Sequence, residues 1–154
     1  MALVYNGGTY DLLHVGHLFV LRQLREMAGR DGEVVIALNT DEFVEEFKHH
    51  RPVQSYLERA EVLSAIRYVD RVIPNLTGAD SKPTIEAVMP NIIAAGQDYY
   101  SPDGERYCRQ MQFTPEWLAE RNIELRYLKW LPGRSSTNLR SVAGTTLTVP
   151  TGTA

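Results

Sequence analysis

Residues 7–17 read Gly7-Gly8-Thr9-Tyr10-Asp11-Leu12-Leu13-His14-Val15-Gly16-His17. They follow a short apolar run, Leu3–Val4–Tyr5, and lead into an amphipathic helix pattern beginning at Val15. The stretch therefore reads as a strand-to-helix junction. Its glycines let backbone approach a ligand closely. His14 and His17 are three apart, a spacing that shares a face once the chain turns helical. A helix start presents unbonded N–H groups and the positive end of the dipole, and both favour anions. Two imidazoles at such a start make a phosphate cradle. The lysine-tipped G-x-x-x-x-G-K-[ST] loop is absent, and no G-x-G-x-x-G follows a strand. A histidine pair alone would read as local capping. Gly7, Gly8 and Gly16 around it favour a ligand role.

Outward from this junction the chain alternates. Leu3–Tyr5, Glu33–Leu38, Arg71–Ile73 and Asn91–Ala95 are short apolar runs, suited to strands covered on both faces. Ile123–Leu128 alternates apolar and charged residues, as an edge strand with one wetter face does. Helix patterns lie between them at Val15–Ala28, Asp41–Phe47, Tyr56–Val69, Thr84–Met89 and Pro115–Arg121. Ser55 with Glu58 forms a capping-box signature. Thr114 reads as an N-cap with Pro115 at the first helical position. Alternating β and α units predict a single-domain, Rossmann-like, doubly wound parallel sheet of five strands, with helices on both faces. Ligands of such sheets sit beyond the carboxyl ends of the strands, the side on which His14 and His17 fall.

The domain is expected to span residues 1–140. Tyr99–Phe113, with Pro102, Asp103 and Gly104, reads as an inserted loop. Residues 141–154, rich in threonine and glycine, read as a flexible tail. Pairing of Thr145–Val149 with a partner subunit in a homodimer is the weaker alternative.

At 154 residues the chain suits one domain with a real core, and 44% hydrophobic content is ordinary for a globular protein. A net charge of −3 offers no bulk basic surface for nucleic acid. The single cysteine, Cys108, excludes an internal disulfide framework and fits a reducing cytoplasm. The amino terminus lacks a cationic segment and a long apolar stretch, so no membrane association is expected.

The ordered series of motifs resembles the HxGH nucleotidyltransferases, and among them the glycerol-3-phosphate cytidylyltransferases. The likeness begins with Gly8–His17. It continues through Asn39-Thr40-Asp41-Glu42-Phe43, Ser55-Tyr56-Leu57-Glu58-Arg59, Ile66–Pro74 and Gly133-Arg134-Ser135-Ser136-Thr137. It covers roughly residues 3–140.

The resemblance implies transfer of a nucleotidyl group, CMP from CTP, to a small phosphomonoester, with release of pyrophosphate. Two alternatives stay open: adenylyl transfer from ATP to a sugar phosphate or cofactor precursor, and a non-catalytic nucleotide-binding module. His14 and His17 are implied to donate to the transferring phosphates. Lys48 is implied as a phosphate-binding lysine, with Arg51 as competitor; His49 and His50 read as loop residues. Gly8, Thr9, Tyr10 and Gly16 are implied to hold nucleotide. Gly96 and Asp98 are implied to meet the nucleoside, with Gln97 where the cytidylyltransferases carry an acid. Arg134, Ser135, Ser136 and Thr137 are implied to hold the β- and γ-phosphates, and Ser135 is a good N-cap in any case. Arg59 is implied to contact a phosphate. Asp11 either caps the first helix or positions the acceptor. Mg²⁺ is expected through the triphosphate, with no protein metal site.

Overall fold

The computed structural model describes residues 1–133. Five strands, β1 (Leu3–Gly8), β2 (Glu33–Asn39), β3 (Arg71–Asn75), β4 (Ile92–Gly96) and β5 (Glu124–Leu128), form one sheet in the order β3-β2-β1-β4-β5. Every pairing is parallel. The intervening helices are α1 (Val15–Ala28), α2 (Asp41–Lys48), α3 (Tyr56–Ser64), α4 (Lys82–Val88), α5 (Glu105–Gln110) and α6 (Pro115–Glu120). This is the Rossmann-like α/β architecture that the alternation predicts. No helix of the described residues is long and apolar enough to cross a membrane.

Side chains alternate across the strands, so each strand feeds two cores. Val4, Val34, Ile36, Leu38, Ile92 and Ala94 join Val20, Leu21 and Leu24 of α1 and Leu63 of α3 on one face. Tyr5, Ala37, Ile93 and Ala95 join Ile85, Tyr107, Cys108, Phe113 and Leu118 on the other. That second core explains why Cys108 is buried.

The chain order reverses between β1 and β4, and there the sheet opens. β1 runs to Gly8, yet its register with β4 holds only at Val4↔Ile92 and Tyr5↔Ile93. Beyond that point Asn6 bridges the gap with its side chain, Nδ2 donating to the Ala94 carbonyl at 2.8 Å. The two carboxyl ends part, and a crevice forms between them.

Two expectations change. The Tyr56–Val69 helix ends at Ser64. Ile66, Tyr68 and Val69 still reach the core, but through turns, because the Asp70 N–H must bond the Val34 carbonyl to start β3. Tyr99–Phe113 is not a plain loop. It holds α5, whose Tyr107 and Cys108 are buried. β3 joins β5 as a second edge strand, although Val72 and Ile73 still pack against the cores on the two faces, as expected for a covered run. The Thr145–Val149 alternative and the tail lie outside the described residues.

Candidate active site

The β1–α1 loop is held in an unfavourable backbone shape. Tyr10 and Leu12 both have φ near 51°, a left-handed conformation costly for side-chain-bearing residues. Several bonds oppose that cost. Tyr10 Oη donates to Asn6 Oδ1 at 2.6 Å, and the Leu12 N–H donates to Gln54 Oε1 at 3.0 Å. Asp11 is buried and accepts from the Val53 and Gln54 N–H groups at 2.8 and 2.9 Å. It therefore caps the lead into α3, not the start of α1.

Arg59, also buried, completes the clamp. Its Nη1 donates to the carbonyls of Thr9 (2.7 Å) and Asn39 (2.9 Å), and its Nε to that of Gln54 (3.0 Å). Nη2 donates to Asp41 Oδ1 at 2.7 Å. These donors tie three backbone segments together, so in this structure the guanidinium is occupied by protein groups where a phosphate contact was expected.

At the start of α1 the two histidines cap the helix reciprocally. His14 Nδ1 accepts from the Gly16 N–H at 3.0 Å, and His17 Nδ1 accepts from the His14 N–H at 3.1 Å. An acceptor Nδ1 puts the hydrogen of a neutral imidazole on Nε2. The capping bonds thus fix both tautomers. The ring centroids lie 4.0 Å apart. Burial, and then the neighbouring His14, push the His17 pKa down to about 4, against the opposing pull of Asp11. His17 is a neutral donor at pH 7.

A cavity of about 400 Å³ opens at the β1/β4 crevice. Gly8, Thr9, Tyr10, Asp11, His17, Lys48, Gly96 and Asp98 all line it. The structure thereby brings together residues drawn from three separate segments: 8–17, Lys48 and 96–98. His14 and Gly16 adjoin it through the cap. Lys48 is the last residue of α2 and is exposed. Its competitor Arg51 instead donates through Nε to Glu45 at 2.8 Å, on the outer face of α2. His49 closes α2 in a left-handed conformation, and His50 is exposed. Arg134, Ser135, Ser136 and Thr137 lie outside the described residues.

Several lining residues escape sequence reasoning. Asn6, Asn39 and Asn75 each sit near the carboxyl end of a strand. Asn75 Nδ2 donates to Asn39 Oδ1 at 3.0 Å, and Asn39 Nδ2 to Thr9 Oγ1 at 3.2 Å. An amide closing three apolar strand runs was the available signal. Trp130, after β5, lines the cavity and donates from Nε1 to Asp98 Oδ1 at 3.0 Å. Tyr107 and Gln110 reach it from α5, and Met111 from just after it, where only a loop was expected. Among the described residues no group of three or more His, Cys, Asp or Glu is arranged around a metal. The cavity carboxylates, Asp11 and Asp98, are already engaged as acceptors. That donor set suits a metal arriving on a triphosphate.

A neutral imidazole at His17, the start of α1 and one lysine around a crevice are chemically suited to anions. The sequence matches the Cytidylyltransferase-like family over residues 5–142. The chain belongs to that family. Its relatives include glycerol-3-phosphate cytidylyltransferase of Staphylococcus aureus, 34% identical over 91% of this chain and 93% of that protein. FAD synthase of Thermococcus sibiricus is 41% identical over 62% of this chain, but that match spans only 62% of the relative. A solved structure, the lipopolysaccharide core biosynthesis protein from Thermoplasma volcanium, superposes with a TM-score of 0.65 at 23% identity. It covers 85% of this chain and 98% of that one, and shares this fold.

Proposed function

We propose that this protein transfers a nucleotidyl group, CMP from CTP, to a small phosphomonoester such as a polyol or sugar phosphate. The supporting observation is the reciprocal cap of His14 and His17, which sets both ring hydrogens on Nε2 at a helix start beside the cavity. The cytidylyltransferase relative aligned along nearly its whole length supports the choice of CTP.

In this reading an oxygen of the acceptor phosphate attacks the α-phosphorus in line. The bond from that phosphorus to the oxygen bridging toward the β-phosphate breaks, and pyrophosphate leaves with that oxygen. Such transfers depend on positioning and charge stabilisation, so no covalent protein intermediate is needed. His14 and His17 donate to the transferring phosphates. As neutral donors they need not lose a proton as charge develops. Lys48 neutralises phosphate charge from α2. Arg134 and the hydroxyls of Ser135, Ser136 and Thr137 hold the leaving pyrophosphate. Mg²⁺ would be held through triphosphate oxygens and water, and would supply further charge neutralisation there. Asp11 and Arg59 hold the loop that carries Thr9 and Tyr10.

Adenylyl transfer from ATP is the second reading. It is favoured by the FAD synthase relative and by Gln97, which replaces an acid of the cytidylyltransferase pattern. The test is pyrophosphate release from CTP and from ATP across a panel of phosphomonoesters, with products identified by mass. Release with no acceptor in the panel beyond background would leave a nucleotide-binding module and overturn the enzymatic reading.

A further inference from the structure

We infer that Trp130 is the stacking platform for the nucleobase, an inference that rests on the nucleotidyl-transfer reading. The indole lies directly on the end of β4. A Cβ built on Gly96 would come within 2.2 Å of Trp130 Cζ2 and 2.6 Å of Asp98 Oδ1. Only a residue without a side chain fits beneath this ring. The Nε1–Asp98 bond fixes one edge of the indole.

The backbone below is fixed too. Gln23 of α1 receives the Lys129 N–H at 2.9 Å and donates to the Lys129 carbonyl at 3.0 Å. The residue before Trp130 is thus pinned from both sides by one amide. Despite these restraints Trp130 stays 43% exposed and lines the cavity. A large aromatic held rigidly yet left open is poorly explained by core packing. It is well suited to receive a flat ligand.

Position selects which ligand. Phosphates belong at the start of α1, beside His14 and His17. Lys48 stands on the β2 side of the crevice. The nucleoside then extends toward the carboxyl ends of β4 and β5, where Gly96, Asp98 and Trp130 meet. Every base has a π-face, so stacking on an indole strengthens binding of either pyrimidine or purine. Trp130 therefore supplies affinity. Base choice falls to edge contacts near Gly96 and Gln97.

The chain has two tryptophans. Trp117 stacks on Phe113 and Arg121, and it is not among the cavity-lining residues. In a Trp117→Phe background, Trp130 emission reports the site alone. CTP and ATP are titrated separately, with calorimetry alongside. The expected result is a saturable change in Trp130 emission that tracks the calorimetric affinity. Trp130→Ala should weaken both triphosphates by about 5- to 150-fold. Trp130→Phe keeps a ring but loses the N–H, and should retain most of the affinity. If Trp130 served only to hold Asp98, the phenylalanine and alanine variants would be equally impaired, and the inference fails. It fails equally if Trp130→Ala binds triphosphate with unchanged affinity, or if saturating triphosphate leaves Trp130 emission unchanged in the Trp117→Phe protein. If neither triphosphate binds the intact chain, the nucleotidyl-transfer reading falls and takes this inference with it.

Discussion

Arg59 and Asp41 form an ion pair at 2.7 Å whose guanidinium is wholly buried beneath the β1–α1 loop. The arginine reaches the Thr9 carbonyl from one side and the Asn39 carbonyl from another. The carboxyl ends of β1 and β2 are thus tied to α3 through one side chain. Removing one partner of a buried pair leaves an uncompensated charge or unmet carbonyls. Arg59→Ala is expected to destabilise the fold by roughly 3–5 kcal/mol. Chemical denaturation measures it. A variant with wild-type stability but a raised acceptor KM would restore the phosphate-contact role.

The histidine cap separates stability from chemistry. Asparagine is a good N-cap, so His14→Asn keeps a side-chain acceptor for the Gly16 N–H while losing the imidazole. Its melting temperature should stay near wild type. Turnover should fall at least ~100-fold, as for loss of one positioned transition-state donor. His17→Ala should show a comparable loss. Either variant retaining near wild-type pyrophosphate release would remove that histidine from the reacting phosphates.

Because the His17 pKa is lowered to about 4 in the fold, its protonation opposes folding. Between about pH 6.5 and pH 4 the unfolded chain binds a proton that the folded chain does not. The contribution is therefore complete above pH 6.5 and is lost as pH falls toward 4. Its size is on the order of 3 kcal/mol. Denaturation midpoints across this range, for wild type and His17→Asn, measure it. Parallel pH profiles for the two proteins would contradict the burial-driven shift.

Triphosphate binding should slow hydrogen exchange in the segment after α2. Phe47–Gln54 is the expected region, but the Val53 and Gln54 amides are already bonded to Asp11. The Lys48 and His49 amides belong to the α2 ladder, so new protection should concentrate on His50 and Arg51, Pro52 having no N–H. Exchange with and without CTP or ATP reads this directly. Equal protection in both states would remove Lys48 from the site.

What was legible in the sequence divides along physical lines. Helix α1 reads to the residue because its apolar period and the glycine after it are local signals. The caps at Ser55 and Thr114 read for the same reason. The side of the sheet on which the cavity opens follows from alternation alone. The clamping bonds of Arg59 were not legible, because they depend on carbonyls far away in sequence. Nothing at position 59 announces that Thr9 and Asn39 lie above it. Trp130 was missed likewise, since its value comes from meeting Gly96 and Asp98 across two strands. Helix α5 was missed because its turn residues outweighed a short apolar signal at Tyr107 and Cys108.

Base choice is the remaining expectation. Cytosine and adenine both carry an exocyclic amine, so carbonyls near Ala95 and Gly96 suit either. Stacking on Trp130 tolerates both rings. Discrimination then rests on edge groups, chiefly the Gly96 backbone and Gln97. A buried polar group left without a partner by the wrong ring costs about 1–3 kcal/mol. That corresponds to roughly a 5- to 150-fold ratio of catalytic efficiencies. CTP is expected to be preferred, since the series of motifs from Gly8–His17 to Ser135–Thr137 follows the cytidylyltransferase pattern at most positions. Measuring kcat/KM for CTP and ATP with one accepted phosphomonoester decides it. A ratio favouring ATP would overturn the cytidylyl assignment and leave nucleotidyl transfer standing, with Gln97→Asp as the variant expected to shift the ratio back toward CTP.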